Sequence, residues 1–239
     1  MIQGKRVLAY IPARSGSKSI KDKNIVDICG KPLIVYSIKA AKQSKYVDKV
    51  MVSTDSAKYA EIVKKYGAEA PFLRPAELAT DTAVEMDACQ HLIDWVETNS
   101  TEKFDIIIKL EPTSVLRIAE DIDKAIEKLV AKKADTVVTV TEAVTHPFWM
   151  NVLPSDHSLK EFIRPDAVRK NRQELPLYYQ LDGLVYAADW NFIKRHKTWL
   201  ADTSYATITP PSRAVDVDGP VQLELARILI KKRMELEYE

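Results

Sequence analysis

The chain has 239 residues, 46% of them apolar, and its 35 lysines and arginines nearly balance 34 aspartates and glutamates to leave a formal charge of +1. That length suffices for one large domain with its own core, and the charge balance excludes the broad basic surface of a nucleic-acid binder. No apolar run reaches the ~20 residues of a membrane span, no secretory pattern opens the chain, and Cys29 and Cys89 carry neither pairing nor metal-ligand spacing; a cytoplasmic protein with reduced thiols is expected.

In chain order, residues 7–11 form an apolar run that predicts a buried strand. Residues 33–44 predict a helix with Pro32 near its first turn, and 50–52 a second strand. A helix over 57–66 is closed by Gly67, and Asp81 or Thr82 is placed to cap a long helix reaching about residue 97. A strand at 104–110, a helix at 118–132 and a strand at 136–140 follow. Alternation of this kind implies an α/β fold with a mostly parallel central sheet flanked by helices, and a ligand beyond the carboxyl ends of the strands. The rhythm breaks near residue 145, where Pro147, Pro154 and Pro165 interrupt it. Such an excursion suits a lid, a substrate loop or an oligomer arm. The pattern returns with a strand at 184–187 and ends with a helix at 220–235, all within a single domain over 1–239.

The loop after the first strand carries the strongest chemical signal. Between Arg14 and Lys23, four positive charges (Arg14, Lys18, Lys21, Lys23) face only Asp22. Small residues that bring backbone N–H groups close, with cationic tips beside them, suit a phosphate ester; the loop reads as a nucleoside triphosphate site. It is not a P-loop, because Ser17 separates Gly16 from Lys18 and Tyr10, Ile11 and Pro12 stand where the upstream glycine would be. The alternative is a solvated basic loop.

Asp216 and Asp218 fall two residues apart, so in an extended segment both carboxylates face one side, about 7 Å apart. Such a pair can share a hard cation, and Mg²⁺ is the usual one beside phosphates; alternatively Asp218 only caps the helix at Pro220. Arg74 and the Thr82 hydroxyl can hydrogen-bond a nucleobase, although Asp81 or Thr82 serves equally as a helix cap. Residues 111–117, from Glu111 to Arg117, sit at the end of a strand, where chemistry is expected, with Thr113 or Ser114 available as a cap. Arg164, Arg169 and Arg172 suit an anionic substrate, since guanidinium matches carboxylate bidentately; the alternative is a solvated arm. The four histidines lack metal-ligand spacing, and no nucleophile elbow is present. A covalent-intermediate hydrolase is excluded.

Taken in order, Ile11-Pro-Ala-Arg-Ser-Gly-Ser-Lys18 with Lys23-Asn24, Arg74-Pro-Ala-Glu-Leu-Ala79, Pro112-Thr-Ser114, Leu116-Arg117, Asp182-Gly-Leu-Val-Tyr186 and Asp216-Val-Asp218 resemble the acylneuraminate cytidylyltransferases, or CMP-sialic acid synthetases. The resemblance implies a Rossmann-like nucleotidyltransferase fold and a homodimer in which 145–196 contributes to the partner's sugar site. It implies a reaction that joins CTP to a nine-carbon 2-keto sugar acid and releases pyrophosphate. It further assigns Arg14, Ser17, Lys18, Lys23 and Asn24 to the triphosphate, and Arg74 with the Thr82 segment to cytosine. Asp216 and Asp218 fall to Mg²⁺, Arg172 to the sugar carboxylate, and the segments of Glu111 and Asp182 to the sugar pocket; Arg164 and Tyr186 are read as further sugar contacts, and Arg14, Lys18, Lys23 and Asp218 as acting in catalysis.

The chain departs from the family pattern at four points: Ser19 replaces glycine, Glu111 glutamine, Val115 proline and Asp182 asparagine. Ser19 stiffens the loop, because glycine visits dihedrals that serine avoids. Two acidic residues in a sugar pocket suit an amino or amidino-bearing sugar, or hydroxyls that need strong acceptors; drift with compensating hydrogen bonds is the alternative. Rival functions are a related nucleotidyltransferase using GTP or a shorter, amino-bearing keto sugar acid, a nucleotide-binding protein without catalysis, and a structural dimer module.

Overall fold

The computed structural model of the chain describes residues 1–163 and 171–236. Strand β1 (Val7–Pro12) is buried along nearly its whole length. Its alternate residues point to opposite faces: Val7, Ala9 and Ile11 enter one core, Leu8 and Tyr10 the other. A long loop follows, with a tight turn at Lys23–Ile25 and a small hairpin of β2 (Asp27–Ile28) and β3 (Lys31–Pro32). Helix α1 (Ile34–Gln43), β4 (Val47–Ser53), α2 (Ala57–Lys65), α3 (Glu85–Asn99), β5 (Ile106–Lys109), α4 (Ala119–Lys132) and β6 (Thr136–Glu142) continue the expected alternation. Then come β7 (Tyr179–Asp189), α5 (Trp190–His196), β8 (Ser204–Thr209) and α6 (Pro220–Leu236).

Six strands form one sheet in the order β4-β1-β5-β7-β6-β8. Neighbours are parallel except at β7, which runs antiparallel to both β5 and β6. The expected mostly parallel sheet is therefore present, with one reversed strand at its centre. Helices α1 and α4 pack their apolar faces on one side, α3 and α5 on the other. A third cluster joins Ile28 and Leu33 to Leu223, Ala226 and Ile230 of α6. This contact draws the Asp216–Asp218 segment back toward the loop after β1.

Pattern and structure differ at three places. Helix α3 begins at Glu85 with Val84 in the cap position and no side-chain cap, so neither Asp81 nor Thr82 caps it. Helix α4 is capped in reverse, by the Asp121 carboxylate accepting from the Ile118 N–H at 3.1 Å, rather than by Thr113 or Ser114. The strand expected at 184–187 lies within an eleven-residue β7, whose first three residues, Tyr179, Gln180 and Leu181, are exposed. Residues 179–196 of the irregular stretch therefore belong to the sheet and to α5, and β8 adds a strand that the periodicity did not indicate.

Strand β7 slips register against β6 between Val138 and Val140, at Gly183. Gly183 has φ +73°, and a Cβ on it would stand 3.2 Å from Ser114 Oγ, so both backbone conformation and space call for glycine. The irregularity turns residues 180–183 toward the ends of β1 and β5. Among the described residues no helix is long and apolar enough to cross a membrane.

Candidate active site

The carboxyl ends of β1 and β5, together with the irregular part of β7, enclose a cavity of about 630 Å³. The β1 loop contributes Arg14, Lys23 and Asn24, and the approach to α3 contributes Arg74, Asp81 and Glu85. Glu111 and Thr113 follow β5, Gln180, Asp182 and Tyr186 come from β7, and Asp216 and Asp218 precede α6. Residues separated by some 200 positions thus meet in one place.

At the loop end, buried Asn24 donates from Nδ2 to the Arg14 carbonyl at 2.9 Å and so holds the curve of the loop. The Ser15 N–H and hydroxyl donate to Asp55 at 2.8 and 2.6 Å and tie the loop to the end of β4. Asp81, released from helix capping, lies between two cations: Oδ1 is 2.7 Å from Arg14 Nη1 and Oδ2 is 2.6 Å from Lys18 Nζ. Lys18 and then Arg14 hold the Asp81 carboxyl below its usual range. Lys23 Nζ is 3.1 Å from Asp218 Oδ1. Each of these cations already holds an anionic oxygen, and the pairs are open to water, where a more highly charged anion can exchange with a carboxylate.

Lys18 and Ser17 lie outside the cavity wall, Lys18 at the solvent-exposed rim with its ammonium on Asp81. Thr82 is also outside the wall, its hydroxyl 3.4 Å from that of Thr80. Arg74 does line the cavity and is 6% exposed. Its Nε donates to Ser53 Oγ at 3.0 Å and its Nη2 to the Ser53 carbonyl at 2.7 Å, which locks the guanidinium to the end of β4 and leaves part of its donor fork for a ligand.

Asp216 and Asp218 share the cavity. Burial pushes the Asp216 carboxyl up, against a hydrogen bond from the Thr113 hydroxyl and with a further push from Asp218. Two carboxylates so close, with Lys23 on only one of them, favour an added cation. Among the described residues no group of three or more His, Cys, Asp or Glu gathers to hold a metal. The pair therefore fits an ion that takes most of its ligands from water and phosphate, as Mg²⁺ does.

The sugar-end expectations have a different outcome. Asp182 is 6% exposed and its carboxylate is fully engaged: Oδ1 accepts from Thr139 Oγ1 at 2.5 Å and from the Leu184 N–H at 3.0 Å, and Oδ2 accepts from Thr209 Oγ1. The compensating hydrogen bonds weighed as an alternative are present, and they tie the bend of β7 to β6 and β8. Glu111 is paired with Lys109, Nζ to Oε1 at 2.8 Å. Tyr186 stands opposite Lys109 across the β5–β7 pairing, with the ammonium 4.1 Å from its ring centroid. Arg164 and Arg169 lie outside the described residues, and Arg172 opens a short turn at Arg172–Glu174.

Two residues matter here for reasons the sequence did not reveal. Arg117, known only as the end of a motif, is 2% exposed and donates to the carbonyls of Glu111 (2.7 Å), Gly183 (3.3 Å) and Leu184 and to Ser37 Oγ (2.7 Å). Burial lowers its pKa to about 10, and it remains charged at neutral pH. It fastens the turn after β5 to the bend of β7, two walls of the cavity. Lys109, a residue of the strand expected at 104–110 to which no role was given, is buried among Glu85, Glu111, Tyr186 and Trp199.

A sheet of this order, with a cationic loop and an aspartate pair converging beyond its strand ends, defines a protein that handles a phosphate-bearing nucleotide. The family profile described as Cytidylyltransferase matches residues 8–211, and the chain belongs to that family and is an enzyme of the nucleotidyltransferase class. It is 34% identical over 245 residues, 98% of each chain, to the CMP-N,N'-diacetyllegionaminic acid synthase of Legionella pneumophila subsp. pneumophila. It is 32% identical to the N-acylneuraminate cytidylyltransferase of Escherichia coli O18:K1:H7 over 229 residues, which are 95% of this chain and 53% of that one. In fold it is similar to a CMP:2-keto-3-deoxy-manno-octonic acid synthetase solved with CTP, with a TM-score of 0.69 at 18% identity, covering 95% of this chain and 99% of the other. The motif resemblance and the Rossmann-like architecture are both borne out.

Proposed function

We propose that the protein transfers CMP from CTP to the anomeric hydroxyl of an N-acylated nine-carbon 2-keto sugar acid, with release of pyrophosphate. The observation that carries this reading is the meeting, in one cavity, of the cations Arg14 and Lys23, the pair Asp216 and Asp218, and Glu111 with Tyr186. The relatives are named for two different N-acylated sugar acids, which supports the substrate class and leaves the member open.

In this reading Arg14, Lys18 and Lys23 bind the triphosphate and carry the charge that grows on departing pyrophosphate, an electrostatic task typically worth a few kcal/mol per donor. Asp81 leaves Arg14 and Lys18 as the phosphates arrive. Arg74, fixed by Ser53, turns its remaining donors toward cytosine, while Asn24 and Ser17 shape the loop. Asp216 and Asp218 would hold Mg²⁺, which supplies charge neutralisation beside the α-phosphate. Among the described residues no histidine lines the cavity, and the reaction needs no covalent intermediate: fixed geometry and charge suffice for in-line phosphoryl-type transfer. Exposed Val144, Met150, Val152 and Leu153 on the segment after β6 support a homodimer built on that arm, as the family resemblance implies.

Pyrophosphate release tests the reading, with CTP or GTP and Mg²⁺ across N-acylated nine-carbon and shorter eight-carbon keto sugar acids. Turnover with CTP and a nine-carbon acid is expected. Turnover with GTP alone would overturn the base, turnover with an eight-carbon acid alone would overturn the sugar, and silence across the panel from folded protein would overturn the reaction.

A further inference from the structure

Lys109 ends β5 behind the cavity wall, its side chain 8% exposed and in contact with three residues that line the cavity, Glu85, Glu111 and Tyr186. Its Nζ is 2.8 Å from Glu111 Oε1, 3.2 Å from Glu85 Oε2 and 4.1 Å from the Tyr186 ring centroid, with the Trp199 ring at 5.5 Å on a further side. An ammonium has three donors and no more, so Lys109 has none left for the phosphate or carboxylate of a ligand. Burial works against its charge, but Glu111 and Glu85 outweigh burial and hold its pKa above the usual lysine value.

One cation between two carboxylates leaves the cluster with surplus negative charge, and its acceptors are in surplus too. Glu85 Oε2 also receives the Trp199 indole N–H at 3.2 Å, while Glu85 Oε1 is buried with no partner among the described residues. Lys109 takes one oxygen of Glu111, whose partly exposed side chain lines the cavity and keeps a second oxygen for a ligand. Without Lys109, the two carboxylates would repel each other with no cation between them to fix their directions. With it, both remain acceptors, and a ligand here need not bring a cation of its own. That removes the main reason to expect an amino or amidino-bearing sugar.

We propose that Lys109 is a positioning residue that fixes specificity: it orients Glu111 and Glu85 so that this end of the cavity receives the hydroxyl and amide N–H donors of the sugar and turns away its carboxylate. The inference rests on the sugar-acid reading above and adds which groups of the sugar meet which wall. Hydrogen bonds to a charged acceptor are worth about 1.5–3 kcal/mol, which corresponds to roughly tenfold to a hundredfold in binding.

The test is steady-state kinetics of wild type, Lys109→Met, Glu111→Gln and the double variant, with CTP and N-acetylneuraminic or N,N'-diacetyllegionaminic acid, whichever the wild type uses. Lys109→Met is expected to raise KM for the sugar acid by about tenfold or more and to change KM for CTP less than about twofold. The double variant, which removes the cation together with its nearest carboxylate, is expected to recover most of that loss. An unchanged sugar KM in Lys109→Met would overturn the inference. So would an equal loss in both KM values without rescue, the mark of a purely structural lysine. If Lys109→Met does not fold, the double variant is compared with Glu111→Gln: a sugar KM at or below that of Glu111→Gln upholds the proposal, because the lysine then acts only through the carboxylate, and one several-fold above it, the sum of two independent losses, overturns it. A wild type that turns over neither sugar acid would sink the substrate reading, and this inference with it, and is distinguished by the failure of the parent protein rather than of the variant.

Discussion

The two ends of the cavity manage charge in opposite ways. At the loop end, Arg14, Lys18 and Lys23 sit on Asp81 and Asp218 in pairs that water reaches; the Lys18 side chain is 81% exposed and that of Asp218 71%. At the floor, Lys109 is 8% exposed and tied to two carboxylates and two aromatic rings. Exposed pairs are weak, screened and quick to exchange partners, which suits a site that must take up a triphosphate and give back pyrophosphate. A buried cluster is costly to rearrange, which suits a wall that must present the same acceptors to every sugar. On the proposed function, the loop end serves exchange and the Lys109 cluster, the floor, serves selection.

Three substitutions at the loop end sharpen this contrast. The largest effect is expected from Asp218→Asn, which takes half of the aspartate pair away. Turnover should fall by on the order of 10²–10³, while CTP binding measured by calorimetry without divalent metal stays close to wild type. Turnover kept within a few-fold of wild type would remove Asp218 from the chemistry. Next comes Lys18→Ala. It should raise KM for CTP about tenfold and leave KM for the sugar acid unmoved, the mirror image of Lys109→Met. A rise in both KM values would mean that the two ends are not separate. The smallest effect is expected from Asp81→Asn. A neutral amide releases Arg14 and Lys18, so CTP should bind a few-fold more tightly, and the gain should shrink as salt is added. Weaker CTP binding would show instead that Asp81 holds the two cations in place for the phosphates.

The same contrast explains how much could be read beforehand. The loop end was legible because its residues are contiguous: Arg14 to Asn24 spell out a strand, a small-residue loop and cationic tips, and Asp216-Val-Asp218 is a spacing that carries its own geometry. The alternating elements were legible for the same local reason, since β1 and β5 rest on unbroken apolar runs and α4 declares a helical period. The floor was not legible. Glu85, Lys109, Glu111, Tyr186 and Trp199 are brought together by β7 running antiparallel between β5 and β6, and β7 itself was only partly visible because its first residues are exposed. A lysine at a strand end reads as a solvated one; only the facing strand shows that it is buried. Asp81 misled for a related reason. An aspartate shortly before a helix is a good cap, but α3 begins at Glu85, and the carboxylate serves two distant cations instead. Glu111 and Asp182 stood out as acidic intruders; the partner of Glu111 is Lys109, two residues before it, whereas those of Asp182, Thr139 and Thr209, come from strands far away in sequence.

A crystal structure with CTP and Mg²⁺ tests the central claim, that one cavity has an exchanging end and a fixed end. The account predicts the triphosphate on Arg14, Lys18 and Lys23, Asp81 displaced from both of its cations, a metal ion against Asp216 and Asp218, and the Lys109–Glu111–Glu85 cluster unmoved. Phosphates bound elsewhere with the Asp81 pairs intact, or a Lys109 cluster that opens to meet the nucleotide, would contradict it.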